Sequence, residues 1–440
     1  MTKKLLSLML AMLMLAAPMA TLAEGNEPVA ITFWHSMSEN AGVITEKAVQ
    51  DFNETIGKEK NIVVTPVYQG KYSDSVTKMN SVLSAKSYDE LPDVMNLDAT
   101  GKVVYHASGV AYTVDDALKD DPDYNLDDIL EVARDNWNFS GVQLGLPFAA
   151  STTVMFYNKT LLDEAGAQPP ETLADIAALK PLLPEQTADG TPLMVYAVLP
   201  NSPTLTNWLG QLGSYLVDQK NGSEAVATRL DCLENGALKT FLTEWQALYA
   251  SGALTNAAGS SDAFVTGQLA IYTTSSSNVT SLLEKIDGAF EMGVGYYPKV
   301  NADASFGATV SGSCLVMFDK QDDARKAAAW ELVKYLTSAD VQAAFATATG
   351  YTPVNKGASL VPAYQDLLAQ HPQYGVSLQQ MLETPRDMKS VTVGPSQDFY
   401  YAIQDNISTM LDEGWDVDEA VDILAEELNG LLTQYLQANQ

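Results

Sequence analysis

The sequence predicts an α/β protein of two lobes, each a mainly parallel sheet flanked by helices, joined by several chain crossings. Three observations lead there. Strand-type and helix-type segments alternate from the start of the chain, the signature of a parallel sheet with helices on its faces. The length of 440 residues suggests two domains, on a prior of ~100–200 residues each. No internal repeat or low-complexity linker separates two halves, so the lobes are expected to exchange the chain more than once.

Before the first strand, Lys3 and Lys4 precede an apolar run from Leu5 to about Ala20, ending in Thr21-Leu22-Ala23. That is the pattern of an export signal, here residues 1–23, and its apolar core is too short for a spanning helix. No cysteine follows the cleavage site, so an exported protein without a lipid anchor is expected. "VAITFWHS" then reads as a strand. "MSENAGVITEKAVQDFNETIG" follows as a helix with Val43, Ala48, Val49 and Phe52 on one side. "NIVVTPVYQG" is a second strand, "SDSVTKMNSVLSAK" a second helix and "LPDVMNLD" a third strand. In such sheets ligands bind beyond the C-terminal ends of the strands. His35-Ser36, Tyr68 to Tyr72 and Asn96 to Gly101 therefore share one polar rim.

"LPFAASTTVMFYNK" is a long strand, and "TLLDEAG" a short helix capped by Thr160. "PPETLADIAALKPL" begins another helix, with Thr172 as cap and Asp175 at its third position. Helices are expected to dominate from there to about Ala253. "FVTGQLAIYTTSSS", "MGVGYYPKV" and "ASFGATVSGSCLVMF" return to strand, and helices resume in "ARKAAAWELVKYLTSADVQAAFATATG". Crossings between lobes are expected near Gly145 to Ala150, Gly307 to Gly312 and Gly350 to Pro353, each marked by glycine or proline beside a strand signal. The lobes are then residues 24–146 with 310–348, and 147–309 with 349–440.

The net charge of −30 repels nucleic acid and anionic lipid at long range. It does not exclude a small anionic ligand, which an arginine or a set of backbone N–H groups can hold locally. His35, His106 and His371 have no partner four residues away, and Cys232 and Cys314 have no nearby second thiol. No metal or cofactor is expected, and both cysteines are expected to be free. There is no G-x-S-x-G turn and no phosphate loop, and "GVGYYP" lacks the third glycine of a dinucleotide fingerprint.

The three hydroxyls in a row at Ser151, Thr152 and Thr153 admit two readings. One is a catalytic serine, in which case Ser151 or Ser275 would serve a secreted hydrolase. The other is a strand whose polar start faces a ligand. Hydroxyls at two strand ends, Ser151 to Thr153 and Thr273 to Ser277, favour the second, because each offers a donor and an acceptor to a polyol. Trp34, Tyr68, Tyr72, Tyr272 and Tyr351 fall near the same ends and offer faces for the apolar side of a sugar.

The chain resembles the extracellular solute-binding proteins of family 1, which deliver ligands to ABC importers, and within them the glycerol-3-phosphate binders. The likeness rests on "FWHSM" (33–37), "GKY" (70–72), "LPF..ST.V.FYNK" (146–159), "PPET" (169–172), "AIYTTSS" (from 270) and "TGYTPV" (349–354). It implies a periplasmic-binding-protein-like fold, an importer permease as partner, a monomer and no catalysis; a sensor role is the alternative. By the same resemblance the ligand contacts are Tyr72, Ser151, Ser275, Gly312 and Tyr351. A second tier is Asp98, beside Ala99 where the family carries an acid, and Trp208, nearest to the family's stacking tryptophans. The third is Thr392, where the family carries a phosphate-binding arginine; Arg386 and Lys389 are near it in sequence. Without that arginine the strongest type of phosphate contact is gone, so a neutral sugar or oligosaccharide is expected on equal terms with a glycerophosphate.

Overall fold

A computed structural model describes residues 27–438; the expected export signal lies outside them. Ten strands form one sheet. They are β1 (Val29–His35), β2 (Ile62–Tyr68), β3 (Val94–Asp98), β4 (Ala111–Tyr112), β5 (Leu146–Asn158), β6 (Met194–Ala197), β7 (Leu254–Thr255), β8 (Leu269–Ser275), β9 (Met292–Gly295) and β10 (Val310–Phe318). The main path runs β2-β1-β3-β10-β5-β8-β6-β7, with β4 paired to β10 and β9 to β5.

Both flanks are parallel, as expected of an α/β chain: β2-β1-β3 on one side and β8-β6-β7 on the other. Between them β5 and β10 run antiparallel to each other. β5 has 13 residues, about twice the usual strand length, and serves both flanks in turn. Its first half, to Thr152, pairs with β10; from Thr153 it pairs with β8. A third segment joins them where the Thr352 N–H donates to the Ala150 carbonyl at 2.9 Å. The three segments expected to cross, near residues 150, 312 and 352, thus lie side by side.

Each flank has its own core. Ile31, Phe33, Val49, Phe52, Leu332 and Val333 pack under β1 and β3. On the other side Trp208, Phe241, Trp245 and Tyr297 form an aromatic cluster with ring centroids 4.9–5.5 Å apart. Helices Ser396–Glu413 and Val417–Ala438 cover that cluster's neighbours through Phe399, Ile403, Leu424 and Leu428. Residues 356–370 lie against helix Ala339–Thr349 through Ala358 and Tyr364.

The capping box at Thr172 forms: its hydroxyl accepts from the Asp175 N–H at 3.1 Å, and the Asp175 carboxylate accepts from the Thr172 N–H at 3.0 Å. Three local expectations fail. Val43 is 64% exposed rather than on the buried side of its helix, because the buried stripe runs through Gly42, Thr45, Val49 and Phe52. The helix Lys159–Glu164 is capped by Asn158, whose Oδ1 accepts from the Leu161 N–H at 3.0 Å, so Thr160 lies inside it. Phe264 and Val265 end a short helix instead of opening β8, whereas helices do dominate up to Ala253, with the four-residue β6 among them. Cys232 and Cys314 are free and buried. Among the described residues no helix is long and apolar enough to cross a membrane.

Candidate functional site

The parallel register aligns His35 with Tyr68, so the loops after β1 and β2 leave the sheet together. They form one wall of a cleft of about 820 Å³. Helices Glu39–Glu54, Tyr72–Ala85 and Val279–Ile286 start in its walls. Ser36, Tyr68, Lys71, Tyr72 and Tyr351 line it together with Ser277 and Thr280. The volume is that of a small-molecule site.

Of the five expected contacts Tyr72 and Tyr351 line this cleft, while Ser151 and Ser275 each lie beside a neighbouring hydroxyl. Ser151 and Ser311 are register partners, and their hydroxyls lie 3.1 Å apart. Two residues along β10, Ser313 pairs with Asp98 and its Oγ accepts from Asn96 Nδ2 at 2.6 Å. Tyr72 approaches Ser313 from the wall, its buried hydroxyl without a hydrogen bond among the described residues. On the other flank Ser275, register partner of Thr153, lies 2.9 Å from the Ser277 hydroxyl, and Tyr351 reaches Ser277. The pleat decides which hydroxyls of the 151–153 run take part. Thr152 points away, donating to the Ala308 carbonyl at 3.1 Å and accepting from Gln380 Nε2 at 3.0 Å.

Gly312, the fifth contact, contributes backbone. Its φ is +106°, and a Cβ there would sit 1.8 Å from the Ala149 carbonyl oxygen, so only glycine lets β10 approach β5 this closely. Phe345 stacks on Tyr351 with centroids 5.5 Å apart, fixing the ring that closes this side of the cleft.

Burial governs the electrostatics. It lifts the phenols of Tyr72 and Tyr351 above the usual range, so both remain neutral donors at pH 7. It also raises the Asp98 carboxyl, against the pull of the Thr100 hydroxyl at 2.7 Å. Behind Asp98, Lys102 is buried, donates to the Asn136 carbonyl at 2.7 Å, and is pushed down to about 8 by desolvation. His35, buried beneath the first wall, is held below its ordinary value by burial, with Glu46 at 3.6 Å opposing.

The second tier separates. Asp98 ends β3 beside Ser313. Thr392 lies in a separate cavity of about 150 Å³, opposite Ala99 and Thr100, whose lining includes no charged side chain. Arg386 does not reach it, being held by Asp135 at 2.9 Å and Glu131 at 3.1 Å, and Lys389 sits 3.8 Å from the same aspartate. Trp208 is fully buried between Phe241 and Tyr297, with its indole N–H on the Pro298 carbonyl, so it offers no face to a ligand. The expectation fails because a tryptophan on a helix with apolar neighbours packs wherever the core closes, which nearness in sequence does not reveal. Ser311 and Ser313 were not singled out by sequence reasoning. The pattern Ser-Gly-Ser at the start of an apolar strand was their signal.

An α/β chain whose two parallel flanks are joined through β5 and β10, beside a polar cleft, has the build of a solute-binding protein. The chain belongs to the bacterial extracellular solute-binding proteins, whose pattern it matches over residues 47–372. It is 24% identical over 363 residues to the sn-glycerol-3-phosphate-binding periplasmic protein UgpB of Yersinia pseudotuberculosis serotype I (strain IP32953), covering 81% of each chain. It is 22% identical over 432 residues to UgpB of Escherichia coli O1:K1 / APEC, covering 96% of each. Among solved structures, UgpB from Mycobacterium tuberculosis in complex with glycerophosphocholine superposes with a TM-score of 0.74 at 20% identity, over 94% of this chain and 100% of that one. The cyclic alpha-maltosyl-1,6-maltose binding protein from Arthrobacter globiformis gives 0.74 at 20%, over 92% and 100%.

Proposed function

We propose that this protein captures a small polar solute, a sugar, oligosaccharide or glycerophosphate-type compound, between its lobes and hands it to an ABC importer permease. The lobes are residues 24–146 with 310–348 and 147–309 with 349–440, and they close about the three adjoining crossings. Tyr72, Ser151, Ser275, Gly312 and Tyr351 hold the solute, with Asp98 at the margin. The exported chain, freed of residues 1–23 and without a lipid anchor, acts as a monomer. The observation that carries this reading is the cleft lined by Tyr72, Ser277 and Tyr351, with hydroxyl pairs at Ser151–Ser311 and Ser275–Ser277 on the two flanks. Donors drawn from both flanks can be satisfied by one polyol only when the flanks are close, so binding shifts the protein toward the closed form.

Binding without turnover is supported by the company Ser151 keeps. Its hydroxyl meets a second serine, and Ser275 meets Ser277; neither partner is a base able to activate a nucleophile. A thermal-shift screen of sugars, polyols and glycerophosphodiesters tests the reading. A ligand of the native state stabilises by RT ln(1 + [L]/Kd), about 2.7 kcal/mol at a hundredfold excess. The hit should lose most of its shift in Tyr72→Ala and in Ser151→Ala. An undiminished shift in both variants moves the site elsewhere.

A further inference from the structure

Two structured pieces, one built into each flank, meet at residues that take no part in lining the cleft. The first is a hairpin in which Asn138 and Phe139 pair with Val142 and Gln143. Its two-residue turn, Ser140 and Gly141, has positive φ at both positions (51° and 80°), the geometry of a tight hairpin. Trp137 and Phe139 anchor it in a core shared with Trp34 of β1 and Met95 of β3. The second piece is the segment 219–222, where four successive residues take positive φ (57°, 50°, 61° and 73°) and only the last is glycine. A left-handed run of this kind is costly, and it persists only where its surroundings over-determine it. Asn221, buried at 1% exposure, does this. Its Oδ1 accepts from the Leu216 and Val217 N–H groups at 2.7 and 3.2 Å, and its Nδ2 donates to the Lys389 carbonyl at 2.7 Å. The Asn221 carbonyl accepts from the Thr392 N–H at 2.8 Å. Leu216 and Val217 belong to the Trp208 core, so the turn and residues 389–392 are fixed to the other flank.

The two pieces engage through two sets of bonds. Ser140 donates its N–H to the Ser223 carbonyl at 3.2 Å and its hydroxyl to the Glu224 carbonyl at 2.8 Å. Beside them Arg386 donates from Nε and Nη2 to Asp135 at 3.1 and 2.9 Å and lies 3.1 Å from Glu131. Both acids sit on the short helix that leads into the hairpin. An exposed ion pair contributes little by itself, but separating the flanks breaks all of these bonds together. We infer that Ser140 and Arg386 are positioning residues for solute capture: they clasp the flanks and raise the population of the closed form without touching the solute. A binding-competent form that is populated only in part weakens the apparent affinity by that fraction. The clasp therefore sets affinity from outside the cleft. This rests on the solute-binding reading above and adds to it residues that hold the lobes rather than the ligand.

The test combines Arg386→Glu, which sets a third carboxylate against Asp135 and Glu131, with Ser140→Gly, which removes the hydroxyl in a conformation glycine adopts freely. Both positions are exposed, so neither change disturbs a core. Small-angle X-ray scattering on the mature protein without ligand should give the combined variant a radius of gyration a few per cent above the parent's, with the urea midpoint little changed. Arg386→Lys, which keeps the charge, should stay at the parent's radius. Titration calorimetry then uses maltose and glycerophosphocholine, neither of which carries a net charge. The better-bound of the two should be held several-fold more weakly by the combined variant. An unchanged radius in that variant overturns the clasp, and an expansion that leaves affinity at the parent's value overturns its part in capture. Scattering needs no ligand. Failure of both probes and of every compound in the thermal screen therefore counts against the solute-binding reading, while the radius alone decides the clasp.

Discussion

The hydroxyls of Ser151 and Ser311 lie 3.1 Å apart, and Ser311 also donates to the Ser151 carbonyl at 3.2 Å. Ser151→Ala therefore removes one partner and leaves Ser311 an acceptor. Stability should change by no more than about 1 kcal/mol, while the affinity for the solute falls about tenfold. Urea unfolding with and without ligand separates the two effects. Equal losses in both would make Ser151 a structural residue.

Gly312 adopts a φ of +106° with Ala149 against the position of its missing side chain. Gly312→Ala combines left-handed strain with a clash against backbone, which cannot move aside as a side-chain tip would. A loss of at least about 3 kcal/mol is expected, seen as a lowered urea midpoint in the absence of ligand. A midpoint within experimental error of the parent would show that β5 and β10 are free to separate here.

Trp208 is enclosed by Phe241, Trp245 and Tyr297. Truncation to alanine should cost about 3–5 kcal/mol. The milder Trp208→Phe should fold and keep the parent's solute affinity. A tenfold weaker affinity in that variant, with stability largely retained, would restore Trp208 to the site.

Stability should fall in alkali because of the buried thiols. Cys232 is fully buried, and desolvation pushes it up to about 12; Cys314 is raised as well. In the unfolded chain a thiol titrates near ~8.5. Between these values the folded state holds a proton that the unfolded state has released. Stability is thus fully present below about pH 8.5 and is lost as pH rises toward the folded value. Cys232→Ala should flatten the decline between pH 9 and 11 by up to about 1.4 kcal/mol per pH unit, whatever its fixed packing cost. Parallel curves for parent and variant would mean that Cys232 is not shielded from water.

What the amino-acid sequence determined by itself is what neighbours in the chain decide. The alternation of strands and helices, the Thr172–Asp175 capping box and the glycine marks of the three crossings depend on backbone sterics and hydrogen bonds within a few residues, and all are legible without a fold. The family likeness added the expected contacts. Only the tertiary structure decided that Trp208 is core, that Val43 faces water, and that Ser151 finds Ser311, a partner 160 residues away. It also decided that the hairpin tip at Ser140 meets the chain leaving the left-handed turn 219–222. Burial and convergence are set by which distant surfaces close on one another, and residue type records only that a side chain is able to take part.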